Sequence, residues 1–348
     1  MNITTFIYPF ALALCVSLLA TPIVIKLAYK AKIVDDPKTH KHPAIIHLKP
    51  IPRAGGVPIY LAILISCFIF FSMSSQLLVI LITGFFVVFI GLLDDKYDIS
   101  PYIRFLSNIL LAGVVVFSGV TIPFITNPLG GILHFTPQNM NVFFLPQILA
   151  IVWIVWVMNM LNWSKGVDGQ MPGIAVVSAI IIGLSALRFP ILDSSNIMTS
   201  QLAFIVAGAS LGFLFFNFYP AKIFPGYSAT ILGFLIGILS ILSGVKLATA
   251  ILVMGVPTVD ALFTVLRRLL SKRSPFWHDK GHLHHLLLKL GFSQRSIAIF
   301  YWVMSCLLGL IALNLSSRGK LFAIILLLVL VGGIILTLKY LIKKEKTI

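Results

Sequence analysis

Long apolar runs recur along the whole chain, and they constrain its fold more than any other feature. A transmembrane helix needs about 20 apolar residues, or slightly fewer inside a bundle. Charged residues make up 10% of the 348 residues and the mean hydropathy is +1.05, whereas soluble domains carry about 25% charged residues. The sequence therefore predicts an all-α, polytopic membrane protein. Eleven apolar runs lie near residues 5–28, 55–73, 76–93, 102–120, 145–161, 171–187, 201–216, 229–243, 246–265, 297–314 and 320–342.

The basic residues predict the orientation of these helices. Lys26, Lys30 and Lys32 follow the first apolar run, and no basic residue precedes it. This favours a retained helix over a cleaved signal peptide, with the N-terminus outside. Eleven crossings place most of the 26 Lys and Arg residues on one side, which the positive-inside rule makes the cytoplasm. The C-terminus is then cytoplasmic. We expect one integral membrane domain, 1–348, with cytoplasmic site loops near 29–54, 94–101, 162–170, 217–228 and 266–296.

The net charge of +16 is spread over short loops beside a membrane. In a soluble protein such a charge favours nucleic acid, but here the expected partners are the membrane and phosphate-bearing substrates. Cys15, Cys67 and Cys306 fall within apolar runs without paired spacing, so neither a disulfide framework nor a zinc site is indicated.

An acidic pair, Asp94 and Asp95, closes the third apolar run in the stretch GLLDDKYD. Adjacent carboxylates repel each other, and an acid at a helix C-terminus opposes the helix dipole. A purely structural helix end is one interpretation of the pair. Its energetic cost favours a second interpretation, in which the pair handles a cation or a proton at the membrane surface.

Two further polar stretches follow apolar runs on the same predicted face. NMLNWSKGVDGQ contains Asn162, Lys165 and Asp168, and NFYPAKIFPGYSA contains Asn217 and Lys222. Gly and Asn alone indicate ordinary turns. Irregular backbone at membrane depth, however, is tolerated only where protein or a watery cavity satisfies it. The convergence of three helix breaks therefore predicts a site.

Basic loops supply the remaining candidate residues. The longest cytoplasmic loop holds His282, His284 and His285, and the first loop holds Lys49 and Arg53. Three histidines invite a zinc interpretation, but no Cys or Glu completes a ligand set and the surrounding Arg and Lys repel a cation. Donors to phosphate oxygens fit better. Membrane anchors that snorkel to the interface are the alternative for each basic residue.

The stretches KPIPRAGG, GLLDDKYD, NFYPAKIF and GHLHHLLLKLGFSQR together resemble the polyprenyl-phosphate N-acetylhexosamine-1-phosphate transferases, in the branch that uses UDP-N-acetylglucosamine and undecaprenyl phosphate. The resemblance spans about residues 34–296. It implies that a polyprenyl phosphate attacks the β-phosphorus of a UDP-sugar, which releases UMP and leaves a polyprenyl-diphospho-sugar. Such enzymes start cell-wall, lipopolysaccharide or teichoic acid biosynthesis at the cytoplasmic face of the bacterial plasma (inner) membrane.

The resemblance also implies roles for the candidate residues. Asp94 would keep the lipid phosphate deprotonated, with Asp95 beside it in the catalytic site, and Asn162 matches a position that helps to hold magnesium. Asp168 would contact the nucleoside. The expected substrate-binding residues are Lys49, Arg53, Lys165, Asp168, Asn217, Lys222, His282, His284 and His285.

Two positions depart from the family pattern. Lys165 stands where bacterial members usually have the first Asp of Asp-Gly-x-Asp-Gly, and Tyr227 replaces the Asp of Phe-x-Gly-Asp, the principal magnesium carboxylate. Mg²⁺ needs near-octahedral oxygen ligands and usually one or two carboxylates, which a neutral phenol with a pKa of about 10 does not replace. Magnesium is therefore expected to be absent, or held weakly by Asp94, Asp95 and Asn162 with the substrate phosphates.

The charges suggest a hypothesis for this departure. A lysine and a neutral tyrosine in place of two carboxylates make the site about three charge units more positive, against the two units lost without magnesium. Lys165, with the loop His and Arg residues, would then replace the metal as the pyrophosphate clamp.

Other functions stay open at the level of sequence. A catalytically silent relative that binds polyprenyl phosphate or a partner enzyme is the main alternative. A transporter is less favoured because the polar residues cluster at one face and the midplane lacks charge. The UDP-sugar, the polysaccharide pathway and the existence of a homodimer are not determined by the sequence.

Overall fold

The computed structural model describes residues 2–38, 49–127, 130–135, 144–188, 193–244, 247–277 and 279–345. These residues form thirteen α-helices and two short antiparallel hairpins. The helices are α1 (Thr4–Lys30), α2 (Gly56–Phe70), α3 (Ser75–Tyr97), α4 (Pro101–Phe117), α5 (Leu145–Trp163), α6 (Gln170–Ala186), α7 (Ser194–Asn217), α8 (Thr230–Leu242), α9 (Leu247–Val253), α10 (Gly255–Leu270), α11 (Leu283–Lys289), α12 (Gln294–Asn314) and α13 (Ser317–Glu345). The strands are β1 (Val34–Asp35), β2 (Ile51–Pro52), β3 (Phe124–Thr126) and β4 (Ile132–His134).

The helices confirm a multi-pass membrane protein. Within the described part of the chain, six are long and apolar enough to span a membrane, and the bent pair α9 and α10 makes a seventh candidate. The helices α2, α4, α6 and α8 are apolar but shorter. These segments match the eleven predicted runs in position. The number of crossings, the outward N-terminus and the cytoplasmic C-terminus remain predictions.

The ninth apolar run, near 246–265, is not one continuous helix as predicted. It breaks at Met254 into α9 and α10, whose axes differ by 87°. Pro257 lies in the first turn of α10. Proline has no N–H to donate to the preceding helix but is tolerated in the first turn of a new one, which explains the break. Residue 246 lies outside the described residues.

Helix α8 lies at the centre of the bundle. Every residue from Thr230 to Ser240 is buried, as expected for a helix that is apolar on all sides. Gly233 and Gly237 let α8 approach α5 closely, because a Cβ at Gly233 would lie 2.6 Å from the Cα of Met158. Small residues spaced by four allow this approach between membrane helices.

The loop 218–229, which precedes α8, is held between two other helices. A Cβ at Gly56, the first residue of α2, would lie 2.1 Å from the carbonyl oxygen of Ser228, and one at Gly91 in α3 would lie 2.3 Å from the Ser228 Cα. The Phe224 N–H also donates to the Pro52 carbonyl in β2 at 2.8 Å. These approaches place the loop beside the C-terminal end of α3. The predicted first loop, 29–54, is described only at 29–38 and 49–54, because 39–48 lie outside the described residues.

Candidate active site

A cavity of about 320 Å³ lies where the ends of α3 and α5 meet the loop 218–229 and the segment between α10 and α11. It brings together stretches that are far apart in sequence, including the β1–β2 hairpin with Asp35 and Arg53. Its polar and charged lining residues are Asp35, Arg53, Asp94, Asp95, Asp98, Arg104, Asn159, Asn162, Lys165, Asp168, Arg268, Asp279, His282, His284 and His285, with Tyr227, Trp163 and Trp277 among its aromatic residues.

Asp94 and Asp95 lie in the last turn of α3, and both are buried. Asp94 Oδ2 accepts a hydrogen bond from Arg104 Nη1 at 3.0 Å, whereas its buried Oδ1 has no partner within the described residues. Asp95 accepts the backbone N–H groups of Tyr227, at 2.6 Å, and Ser228, at 3.1 Å. The two acids are therefore not equivalent, because Asp95 fixes the loop, whereas Asp94 lines the cavity and keeps one buried oxygen without a partner among the described residues.

Lys165 and Tyr227, the two departures from the family pattern, lie close together. Lys165 Nζ donates to the Gly226 carbonyl at 3.1 Å. Burial lowers the pKa of Lys165 to about 8, while the Asp95 carboxylate opposes this shift, so the ammonium is the main form at neutral pH. The Tyr227 hydroxyl accepts a hydrogen bond from Asn108 Nδ2 at 3.0 Å. Burial raises the pKa of Tyr227 to about 12, so the phenol stays neutral.

The β1–β2 hairpin positions Arg53. Its Nη2 lies 2.6 Å from Asp35 Oδ2, and its backbone N–H donates to the Ile33 carbonyl. Arg53 and Asp35 both line the cavity. Of the two predicted basic residues of the first loop, Arg53 is therefore held at the site by an ion pair.

Asp168 and Asn217 connect the α5–α6 loop to the segment after α7. Asp168 Oδ2 accepts the Ala221 N–H at 3.0 Å. Asn217 is fully buried, its Oδ1 accepts the Gly169 N–H at 3.0 Å, and its Nδ2 donates to the Ile223 carbonyl at 2.8 Å. Asn217 therefore stabilises the scaffold and does not line the cavity. Asp168 stabilises the scaffold and also lines the cavity.

The three histidines form one buried cluster at the start of α11. The rings of His282 and His284 are stacked, with centroids 5.4 Å apart, and those of His284 and His285 are 4.3 Å apart. Burial lowers the pKa of His285 to about 4 and that of His284 well below its usual value, and the neighbouring histidines add to both shifts. His284 and His285 are therefore neutral at pH 7.

Asp260 holds the first histidine in position. His282 Nδ1 lies 3.0 Å from Asp260 Oδ2, and the Leu283 N–H donates to Asp260 Oδ1 at 2.9 Å. Arg268 Nη2 lies 3.5 Å from the other ring nitrogen, His282 Nε2. This carboxylate–histidine pair orients the imidazole and favours the tautomer that carries its proton on Nδ1.

An ion-pair network closes the adjacent wall. Asp279 binds Arg267 Nη2 at 2.8 Å and Arg268 Nε at 3.1 Å. Burial alone would raise the pKa of Asp279, but these two guanidinium groups outweigh it and lower the pKa to about 2. Asp279 is thus ionised throughout the physiological range and keeps Arg268 at the cavity.

The structure brings most predicted site residues together. Asp94, Asp95, Arg53, Lys165, Asp168, Asn162 and the three histidines all line one cavity. Lys49, Asn217 and Lys222 do not, and Lys49 and Lys222 are exposed.

The predicted site residues did not include several contributors, among them Arg104, Asn108 and Asp260, as well as Asp35, Arg268 and Asp279 in the ion pairs described above. Arg104 and Asn108 are four residues apart in the otherwise apolar α4, a spacing that places both on one helix face. Asp260 is an acid within an apolar run, which is by itself a signal of function.

The donor set does not fit a resident magnesium ion. Within the described residues, no group of three or more His, Cys, Asp or Glu side chains is placed to hold a metal. Asp94 Oδ1 and Asn162 Oδ1 are buried oxygens without a partner there. Asp95 is already engaged by two backbone N–H groups, Tyr227 offers only a neutral phenol, and the Lys165 ammonium in the same cavity repels a divalent cation.

Residues 77–244 match the family described as Glycosyl transferase family 4. The chain is 30% identical over 330 residues to a Bacillus subtilis protein named "Probable undecaprenyl-phosphate N-acetylglucosaminyl 1-phosphate transferase", in an alignment that covers 92% of this chain and 88% of that protein. The chain belongs to glycosyl transferase family 4. It is also 30% identical to a Mycobacterium leprae decaprenyl-phosphate N-acetylglucosaminephosphotransferase, with 88% of this chain and 81% of the relative covered.

A third relative is the undecaprenyl-phosphate alpha-N-acetylglucosaminyl 1-phosphate transferase of Escherichia coli, 29% identical over 299 residues, with 82% of this chain and 77% of the relative covered. The resemblance read from the motifs is thereby confirmed. This family 4 chain is a multi-pass membrane enzyme, a glycosyltransferase of the phosphotransferase type.

Proposed function

We propose that the chain transfers N-acetylglucosamine 1-phosphate from a UDP-sugar to a polyprenyl phosphate at the cytoplasmic face of a bacterial inner membrane. One observation carries the proposal: Asp94, Lys165, Arg268 and the histidine cluster line a single cavity at the end of apolar helices. A lipid phosphate reaches such a site from the bilayer and a nucleotide reaches it from water. The names of the relatives favour this substrate pair.

The transfer forms one bond and breaks one bond. An oxygen of the lipid phosphate attacks the phosphorus that bears the sugar, and the bond from that phosphorus to the bridging oxygen breaks, so UMP leaves. The unpaired Oδ1 of Asp94 is the acceptor that keeps the lipid phosphate deprotonated. Cationic and neutral donors reduce the repulsion between the two anionic phosphates, which is the main task in phosphoryl transfer.

The direct test measures UMP release. The purified chain, in lipid nanodiscs with undecaprenyl phosphate, should release UMP from UDP-N-acetylglucosamine and form a lipid diphospho-sugar that mass spectrometry detects. UDP-glucose and UDP-N-acetylgalactosamine serve as comparison donors. If none of these donors yields UMP while the chain still binds undecaprenyl phosphate, a silent lipid-binding relative becomes the better account.

Asp260→Asn should lower the rate of transfer by about 10- to 100-fold. The asparagine side chain has one acceptor oxygen instead of two, so it no longer holds the proton of His282 on Nδ1. The Asn side chain still accepts the Leu283 N–H, so helix α11 should keep its start. Thr264→Val is the matched control, since it removes only a 3.4 Å contact to the same ring nitrogen. Steady-state kinetics should show the loss for Asp260→Asn mainly in kcat. Equal losses in both variants would contradict a positioning role for Asp260.

A further inference from the structure

We propose that the Lys165 ammonium takes the place of a divalent metal ion in this site, so that the transfer proceeds without magnesium. The proposal rests on the proposed function for its substrates. It goes further in assigning the electrostatic task, normally that of a bound cation, to one side chain of the chain itself. Three observations support it.

The first observation is that the arginine side chains of the cavity are paired with carboxylates. Among the described lining residues, Arg53, Arg104 and Arg268 each form an ion pair with a carboxylate: Asp35 at 2.6 Å, Asp94 at 3.0 Å and Asp279 at 3.1 Å. Lys165 donates to a backbone carbonyl instead. An ammonium has three hydrogens, so two remain for phosphate oxygens after the bond to Gly226.

The second observation concerns Tyr227, which occupies the position that the resemblance assigns to the principal magnesium carboxylate. Tyr227 is 4% exposed, and its hydroxyl is bound by Asn108. Its ring lies beneath two cations, with the Arg104 guanidinium carbon 5.0 Å and Lys165 Nζ 5.8 Å from the centroid. The electron-rich face of the ring stabilises both cations without adding a negative charge. Tyr227 therefore suits a site whose cation is a lysine.

The third observation concerns Asp95. Both of its oxygens accept backbone N–H groups, from Tyr227 and Ser228, and its carboxylate attracts the Lys165 ammonium. A carboxylate that fixes the loop and balances a lysine has less capacity to bind Mg²⁺. The loop 218–229, Asp95 and Lys165 thus satisfy one another's charge and hydrogen bonds without a metal ion.

The chemistry needs no co-reactant beyond the two substrates. As UMP leaves, negative charge grows on the oxygen that bridged the two phosphorus atoms. The Lys165 ammonium donates to the phosphate oxygens and offsets this charge as a point cation, as lysine does in other phosphate sites. No proton needs to leave Lys165 during the step.

The decisive experiment compares UMP release by the purified chain in EDTA with release in magnesium chloride. We expect rates that agree within about twofold, whereas a metal-dependent phosphoryl transfer would lose activity by orders of magnitude. Lys165→Met should lower the rate by about 1,000-fold in either condition. Lys96→Met, a change at an exposed lysine beside the acidic pair, is the matched control and should have no effect. A rate that collapses in EDTA and recovers with magnesium would overturn the proposal.

Two binding measurements test the proposal independently of turnover. Electron paramagnetic resonance with Mn²⁺ should detect no stoichiometric site in the wild-type chain, whereas Lys165→Asp combined with Tyr227→Asp should create one. Calorimetry in EDTA should show that Lys165→Met weakens UDP-N-acetylglucosamine binding at least tenfold relative to Lys96→Met. A Mn²⁺ site in the wild type that Asp94→Asn abolishes would contradict the assignment. If no donor is turned over with or without metal, the proposed function fails, and the Mn²⁺ result still tests the role of Lys165.

Discussion

Asp94→Asn should lower the kcat of transfer by about 100- to 10,000-fold, the range typical of a lost acid–base group. The substitution removes the charge and basicity of the side chain but preserves an oxygen acceptor for Arg104, whose Nη1 lies 3.0 Å from Asp94 Oδ2. We therefore expect nearly normal folding and donor binding. Initial rates of UMP release, together with calorimetry of UDP-N-acetylglucosamine binding, check both expectations.

Asp193→Asn is the matched control for this prediction. Asp193 is exposed and caps α7 by accepting the Asn196 N–H at 2.8 Å, and Asn is an equally good N-cap residue. Its rate should equal that of the wild type. If Asp94→Asn kept more than about a tenth of the wild-type rate, deprotonation of the lipid phosphate by Asp94 would have to be abandoned.

Gly91→Ala should destabilise the fold by about 3 kcal/mol or more, because overpacking against rigid backbone cannot relax by a side-chain movement. The added Cβ would lie 2.3 Å from the Cα and 2.5 Å from the N of Ser228. To relieve this contact, α3 and the loop 218–229 must separate. Separation also removes the two N–H bonds to Asp95, so activity should fall with stability. Thermal unfolding in detergent measures the first effect, and UMP release measures the second.

Gly113→Ala in α4 is the control, because nothing lies within 4 Å of its added Cβ. Both glycines lie inside helices, and alanine favours a helix over glycine by about 1 kcal/mol. Gly113→Ala should therefore unfold at the same temperature or slightly higher. Equal unfolding temperatures for the two variants would show that the contact at Ser228 is not tight.

The sequence was a good guide to the helices and to the polar stretches of the site. Apolar runs have the length of bilayer helices, and each predicted run coincides with an apolar helix or, near 246–265, with the bent pair α9 and α10. Asp94, Asp95, Lys165 and Asp168 follow such runs. Because polar groups at membrane depth need an aqueous or protein-lined environment, their convergence could be predicted.

Individual contacts could not be predicted in this way. Asn217 follows an apolar run in the same manner as Asp168, yet it bonds to two backbone segments and stays off the cavity. Asp260 lay within an apolar run as a single acid, and its partner His282 is 22 residues away. Hydrogen-bond partners depend on side-chain geometry across packed elements, which the periodicity of a sequence does not contain.

The amino-acid sequence by itself determined the class of fold and the two unusual positions, Lys165 and Tyr227, and it predicted that the polar stretches converge, since residue type and spacing carry all three. Only the tertiary structure decided what surrounds those two positions. Three arginines of the cavity are paired with carboxylates while Lys165 bonds to the Gly226 carbonyl, and Asn108 binds the Tyr227 hydroxyl. The reason is physical: the strength of a charge in a buried site depends on its neighbours, and packing brings those neighbours from distant parts of the chain.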